Sequence, residues 1–300
     1  MLGDLVLDVV LAPSRELERG TDVPGRALLR QGGSAASTAR WLGRLGAHTT
    51  FITAVGRDAP GRALVAAVEA DGVVVRAVRV AGARTGRIGV LVEPGGERSF
   101  VADRGAADRL RPDDLRPGWF RGADVLHMPA YSLLGSPLGD AGLAAARLAR
   151  AAGALVTIDL ASVGPLLSAG RRAAIQLLRD TAPDLLFATA DEAEALIGAR
   201  RADGLLDLTP IAIVKRGRKG ATVLTRTGEE RLKFEVLTMP VGAADSTGAG
   251  DAFDAGFLNA WLEARRRSAA QTPALQRAAL AGNRLARRHL SSPPGELSLG

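Results

Sequence analysis

Cysteine is absent from all 300 residues, which excludes disulfides, thiolate metal sites and a cysteine nucleophile. Aromatic residues make up only 4% and are not interleaved with the basic runs, so the stacking half of a single-strand nucleic-acid surface is missing. Lysine is scarce too. Only Lys215, Lys219 and Lys233 stand among 39 basic residues; the arginines behind the formal charge of +7 are spread along the chain, as in a solvated basic surface. Three histidines, His48, His127 and His289, lie too far apart in sequence to suggest a zinc site. No uninterrupted apolar run approaches the ~18 residues of a membrane span, and the first residues lack a basic-then-apolar leader pattern. A soluble, cytoplasmic protein with neither nucleic acid nor membrane as partner is expected. The strings of a Walker A loop, a dinucleotide fingerprint and a Gly-x-Ser-x-Gly elbow are absent as well.

What remains is a chain with 47% hydrophobic residues, enough for one large α/β domain or such a domain with a small appendage. Apolar runs suited to strands alternate with helical periodicity. Strands are expected over 2–10, 50–55, 73–80, 125–128, 154–160, 185–188, 211–215 and 221–224, and helices over 62–70, 140–152, 171–180, 191–198, 251–261 and 273–289. Residues 11–31, with Pro13, Gly20, Pro24 and Gly25, read as loop with short extended pieces. The runs 85–92 and 98–102, joined by Glu93-Pro94-Gly95-Gly96-Glu97, predict a hairpin outside the parallel sheet, where it can act as a lid. Strand 2–10 starts almost at residue 1, so some lead-in upstream is expected.

The stretch Asp245-Ser246-Thr247-Gly248-Ala249-Gly250-Asp251-Ala252-Phe253 organises the functional reading. Small residues at 248–250 open a helix with apolar residues at 252, 253, 256, 257, 260 and 261, and such a turn aims backbone N–H groups at one spot. Asp251 then stands in the first helical turn beside an anion site, placed to take a proton from an attacking hydroxyl. Dipole compensation alone explains an Asp there equally well. Gly32-Gly33 opens a second helix of small residues, which suits either close ligand approach or close packing. Asp8 is either a polar strand end or a ligand-facing carboxylate at the carboxyl edge of a parallel sheet. Asp191 and Glu194, three apart on one helix face, either complement the dipole or hold Mg²⁺ through waters.

Together these residues resemble the ribokinase-like (PfkB) family of carbohydrate and nucleoside kinases. The 245–253 run is similar to its C-terminal signature. Gly32-Gly33-Ser34-Ala35-Ala36-Ser37-Thr38-Ala39, preceded by Gly3-Asp4-Leu5-Val6-Leu7-Asp8, is similar to its N-terminal one. The resemblance implies a three-layer α/β/α fold with a mostly parallel central sheet and a small β lid. The kinase domain would span 1–290, its lid drawn from parts of 11–31 and 82–104, with 291–300 a flexible tail. It implies ATP-dependent phosphorylation of a sugar hydroxyl, with a nucleoside kinase or a non-catalytic sensor as alternatives. Asp251 would be the base; the backbone of Gly248, Ala249, Gly250 and Asp251 the anion hole; Asp8, Gly32, Gly33, Ser37 and Arg98 the acceptor site. Lys215, Gly217, Gly220 and Asn283 would border ATP, and Asp191 with Glu194 would hold Mg²⁺. The chain departs from the family pattern at Ser37, Ala107 and Asp191, where Asn is frequent. Exposed lid edges would suit a homodimer.

Overall fold

The computed structural model describes residues 1–95, 97–198, 203–242, 246–292, 295 and 297. In chain order the strands are β1 (Val6–Pro13), β2 (Gly25–Gly32), β3 (Thr50–Gly56), β4 (Val74–Val80), β5 (Thr85–Val92), β6 (Arg98–Gly105), β7 (Val125–Pro129), β8 (Leu155–Asp159), β9 (Leu185–Thr189), β10 (Ile211–Lys215), β11 (Ala221–Thr227) and β12 (Glu230–Val236). The helices are α1 (Ser34–Arg44), α2 (Ala59–Glu69), α3 (Asp140–Ala151), α4 (Val163–Leu167), α5 (Arg171–Thr181), α6 (Ala190–Ile197), α7 (Ala249–Arg266) and α8 (Gln271–Leu290).

The central sheet runs β12-β11-β10-β9-β8-β7, parallel from β7 to β10, with the hairpin β11–β12 antiparallel at its edge. The parallel pair β3–β4 joins it through the first residues of the chain. Leu2 N–H donates to His127 O (3.1 Å) on one side, and Gly3 N–H donates to Ile52 O (3.2 Å) on the other. Helices cover both faces: α3, α5 and α6 bury one around Met128, Ile158 and Leu178, while α7 and α8 bury the other around Phe187, Phe257 and Leu275. This is a three-layer α/β/α arrangement, as expected.

Residues 2–10 are therefore one run shared between two sheets and not the single strand expected. After Gly3 and Asp4 the chain leaves the central sheet and β1 enters a separate four-stranded sheet, β2-β1-β5-β6. Its hydrophobic alternation could not reveal the switch, because both stretches are apolar. The expected loop at 11–31 likewise contains a regular strand, β2, antiparallel to β1 over Val6–Pro13. This second sheet is the lid. Period-2 alternation points Val6, Asp8 and Val10, with Ile88, Val90, Phe100 and Arg104, toward the cleft. At the other end of the chain, Leu297 donates its N–H to Leu29 O on β2 (2.8 Å), so this part of the expected flexible tail lies against the lid.

The few aromatics are concentrated where α7 docks. Phe187 meets Phe257 edge-on (5.3 Å between ring centroids), and Phe253 stacks on Phe257 (6.2 Å). α8 crosses α7 closely because a Cβ on Gly282 would stand 2.9 Å from the Phe253 ring. The result is a rigid seat for the first turn of α7. Truncating Phe257→Ala removes a fully buried ring and is expected to cost about 3–5 kcal/mol of stability, read as a lowered urea midpoint.

Candidate active site

The carboxyl ends of the central strands, the N-terminal turns of α1 and α7, and the inner face of the lid enclose a cleft of about 1610 Å³. Gly248, in the left-handed region at φ 79°, caps the start of α7. The first closed helical bond runs from Ala252 N–H to Gly248 O (2.9 Å), so the amides before it lie outside the ladder. Ala249 N–H turns back to Ser246 O (3.2 Å), whereas among the described residues no internal acceptor meets the N–H of Gly250 or Asp251. Of the four residues expected to form an anion hole, Gly250 and Asp251 thus have amides left open at the start of α7, while Gly248 makes the turn. Asp245, which begins the motif, lies outside the described residues.

Asp251 opens into the same cleft. Ser34 Oγ donates to its Oδ1 (2.7 Å), tying the start of α1 to the start of α7. Burial pushes the Asp251 carboxyl up to about 7, against the hydrogen bond from Ser34. Across the cleft, Asp8 is also pushed up to about 7, by burial first and the neighbouring Asp4 second, with Arg30 opposing. Asp8 stands on lid strand β1, opposite Arg30 of β2; the carboxylate near the edge of the central sheet is instead Asp4. A Cβ on Gly32 would fall 2.0 Å from Asp8 Oδ1, and one on Gly33, at φ 102°, would fall 2.2 Å from Asp4 O. The glycine pair is therefore required by both acids. Ser37 lines the cleft one turn into α1.

Arg104 completes this end. Its guanidinium contacts Asp4 Oδ2 (3.3 Å) and Asp108 Oδ1 (2.6 Å) and lies over the Tyr131 ring (5.3 Å). Asp4 Oδ1 and Arg104 Nη2 are buried without a hydrogen-bond partner among the described residues. Arg98, at the lid's far corner, hydrogen-bonds the Thr247 hydroxyl beside the anion turn. It spans the cleft from lid to turn.

Three expectations fail. Asp191 and Glu194 are exposed, and Glu194 lines a different, small hollow near Arg216 and Lys233. The residues of that segment that line the cleft are Thr189 and Glu192, locked in a capping box: Thr189 N–H donates to Glu192 Oε2 (2.7 Å) and Glu192 N–H to Thr189 Oγ1 (3.2 Å). The helix face was misjudged because the cap, not the i, i+3 pair, aims inward. Asn283 is buried and donates its amide to Val236 O (3.2 Å) and Leu237 O (3.3 Å), fastening α8 to the end of β12. Gly217 and Gly220 shape the turn after β10 and do not line the cleft; a Cβ on Gly220 would meet Val236 O at 2.1 Å. Lys215 does line it. Ala107 is buried in the turn after β6 and is not among the residues that line the cleft.

Several site residues carried no recognisable spacing. His289, at the end of α8, engages Thr247 O through Nε2 (2.6 Å) and packs edge-on against Trp41. Asp159 and Asp254 flank Lys215.

A buried carboxyl beside open amides at a helix start, in a cleft covered by a β lid that carries further acids, is an arrangement suited to phosphoryl transfer to a small molecule. The sequence profile described as pfkB family carbohydrate kinase matches residues 1–293, and the chain belongs to that family. It is 31% identical over 267 residues to "Probable fructokinase-4" of Arabidopsis thaliana, covering 85% of this chain and 79% of that one. It is 32% identical over 253 residues to the "ATP-dependent ribose-1-phosphate kinase" of Halopiger xanaduensis, covering 82% and 80%. Among solved structures, aminoimidazole riboside kinase from Salmonella enterica, complexed with aminoimidazole riboside and an ATP analog, superposes with a TM-score of 0.77 at 26% identity, covering 97% and 92%. Adenosine kinase from Sinorhizobium meliloti shares the fold, with a TM-score of 0.82 at 24% identity over 99% and 95%. The protein is an ATP-dependent kinase acting on a hydroxyl of a small molecule. Among the described residues, no helix is long and apolar enough to cross a membrane.

Proposed function

We propose that the acceptor is a sugar or sugar derivative whose hydroxyls are held by Asp4, Asp8 and Arg104, and that Asp251 is the base. The observation that carries this reading is the meeting, in one cleft, of the Asp251 carboxyl, the amides of Gly250 and Asp251, and the unpartnered atoms Asp4 Oδ1 and Arg104 Nη2. The acceptor hydroxyl gives its proton to Asp251 as its oxygen attacks the γ-phosphorus of ATP. The bond to the β-bridging oxygen breaks and ADP leaves with that oxygen, while the two amides stabilise charge on the equatorial oxygens. Arg98 couples lid closure to the turn and helps exclude water.

Mg²⁺ fits this cleft through Glu192. Burial, and then Asp159, raise the pKa of this half-buried carboxyl, an environment that a cation relieves. No cluster of three His, Cys, Asp or Glu side chains suited to a metal occurs among the described residues, which agrees with an ion held by one carboxylate, water and phosphate oxygens. When bound, it would neutralise charge on the ATP phosphates. In this reading the enzyme is cytoplasmic, where ATP is supplied, and copies pair through the lid, whose outer face leaves Val101 77% exposed.

A nucleoside acceptor is the second reading, favoured by the apolar band of Val10, Ile88, Val90 and Phe100 on the lid's inner face, which suits a flat base. ADP release measured over fructose, ribose, 2-keto-3-deoxygluconate, tagatose-6-phosphate, adenosine, inosine and pseudouridine separates the two. Turnover confined to the nucleosides would overturn the sugar assignment.

The raised Asp251 pKa has a direct consequence. Below about 7 the carboxyl is protonated and cannot accept the hydroxyl proton, so kcat/KM is expected to climb with pH toward neutrality and level off above it. A flat pH profile across that range would count against Asp251 as base.

A further inference from the structure

His289 lines the cleft, yet the reaction described above gives it no task. It stands half-buried in the last turn of α8. Its Nε2 meets Thr247 O at 2.6 Å; a carbonyl oxygen only accepts, so the proton is on Nε2 and the ring donates. The ring packs edge-on against Trp41 of α1 (5.8 Å between centroids), and a Cβ on Gly248 would stand 3.1 Å from its Cε1 and Nε2. Trp41 itself belongs to a buried cluster with Leu42, Ala252, Ala255 and Leu285, which joins α1, α7 and α8. The imidazole thus donates from a fixed base.

Ser246 to Ala249 form a four-residue turn closed by the bond from Ala249 N–H to Ser246 O (3.2 Å), and Gly248, at φ 79° and ψ −3°, has the third-position angles of a type II turn. The central peptide of such a turn, here Thr247–Gly248, takes no part in the closing bond. Rotating it by about 180° converts type II into type I, and glycine accepts either geometry. The flip exchanges the sides on which the Thr247 carbonyl and the Gly248 N–H lie, because the two point opposite ways across a trans peptide. The Gly248 N–H meets no internal acceptor among the described residues, so no backbone bond on that side opposes the exchange. On the carbonyl side the imidazole opposes it. The Thr247 hydroxyl is tied separately, by Arg98 of the lid.

We infer that His289 is a positioning residue: by holding the Thr247 carbonyl against the end of α8, it keeps the turn that opens α7 presenting N–H groups, and not a carbonyl oxygen, to the terminal phosphoryl group of ATP. The inference rests on the kinase reading. A flipped peptide would set a partial negative charge beside the open amides of Gly250 and Asp251 and repel the anion they attract. The effect falls on the group that ATP has and ADP lacks.

Calorimetric titration of the full chain with Mg·ATP and Mg·ADP reads this without an acceptor and without turnover. His289→Phe keeps a ring against Trp41 but has no N–H to donate. Its Kd for ATP is expected to rise about three- to tenfold, the worth of one hydrogen bond, with that for ADP within about twofold of the wild type. His289→Gln loses the ring but keeps an N–H donor of similar reach, and is expected to stay within about twofold of the wild type for both nucleotides. Wild-type ATP affinity in His289→Phe, equal weakening of ATP and ADP, or a Gln variant as weak as the Phe variant reduces the histidine to packing and overturns the inference. If His289→Phe does not fold, His289→Ala takes its place beside His289→Gln: selective loss of ATP binding in the first and not the second supports the inference, and equal behaviour of the two overturns it. A wild-type protein that binds neither nucleotide would instead sink the kinase reading itself, so the two failures are distinguishable.

Discussion

Asp251→Asn is expected to lower kcat by roughly 10²–10⁴-fold, the usual worth of a positioned base, while ATP binding changes little. The asparagine keeps the size and the hydrogen-bond capacity toward Ser34 Oγ, which in the wild type donates to Asp251 Oδ1 at 2.7 Å. It cannot accept the hydroxyl proton at any useful pH. The seat of the residue is unaffected, because α7 is anchored by Phe253, Phe257 and Trp261 farther along the helix. Residual activity in the variant should lose the rise toward neutrality that the buried carboxyl imposes. Single-turnover measurements at saturating substrates check both points, and near-normal turnover would remove Asp251 from its role.

Gly250→Val is expected to cost about 10²–10³-fold in kcat, comparable with the loss of an oxyanion donor. Its Cβ would already crowd Lys215 Nζ at 3.3 Å, and the two γ-methyl groups would project where a phosphoryl group must approach the amides of 250 and 251. The backbone there is ordinary helix, so the strain falls on ligand approach and not on the chain, and stability should change little. Thermal unfolding alongside steady-state rates separates the two. A variant as active as the wild type would mean that the anion binds elsewhere.

Much of this architecture could be read from periodicity alone. Strands β3, β5 and β10 and helices α3 and α5 begin and end within a residue or two of their expected bounds, because apolar alternation and Gly stops are local signals. The lid hairpin was legible for the same reason. What escaped was non-local. Nothing in the run 2–10 marks the point where it passes from the central sheet to the lid, and that passage decides which carboxylate, Asp4 or Asp8, stands near the sheet edge. The Asp159–Lys215–Asp254 cluster joins residues 56 and 39 positions apart, a distance at which no spacing rule operates. The choice of Asp191 and Glu194 over Glu192 shows a different weakness. Helical spacing tells which residues share a face but not where that face looks; the Thr189 cap sets the rotation. Asn283 failed likewise, since a buried amide on α8 was needed to satisfy two carbonyls at the end of β12.

The account depends on the Asp251 carboxyl and the amides of Gly250 and Asp251 facing one and the same phosphoryl group. Crystals grown with Mg²⁺, ADP and aluminium fluoride, a planar mimic of the phosphoryl group in flight, test that most directly. The predicted density places the fluoride within hydrogen-bond distance of both amides, with an Asp251 oxygen on the side opposite ADP. A mimic bound away from the start of α7, or with Asp251 turned from it, would contradict the account.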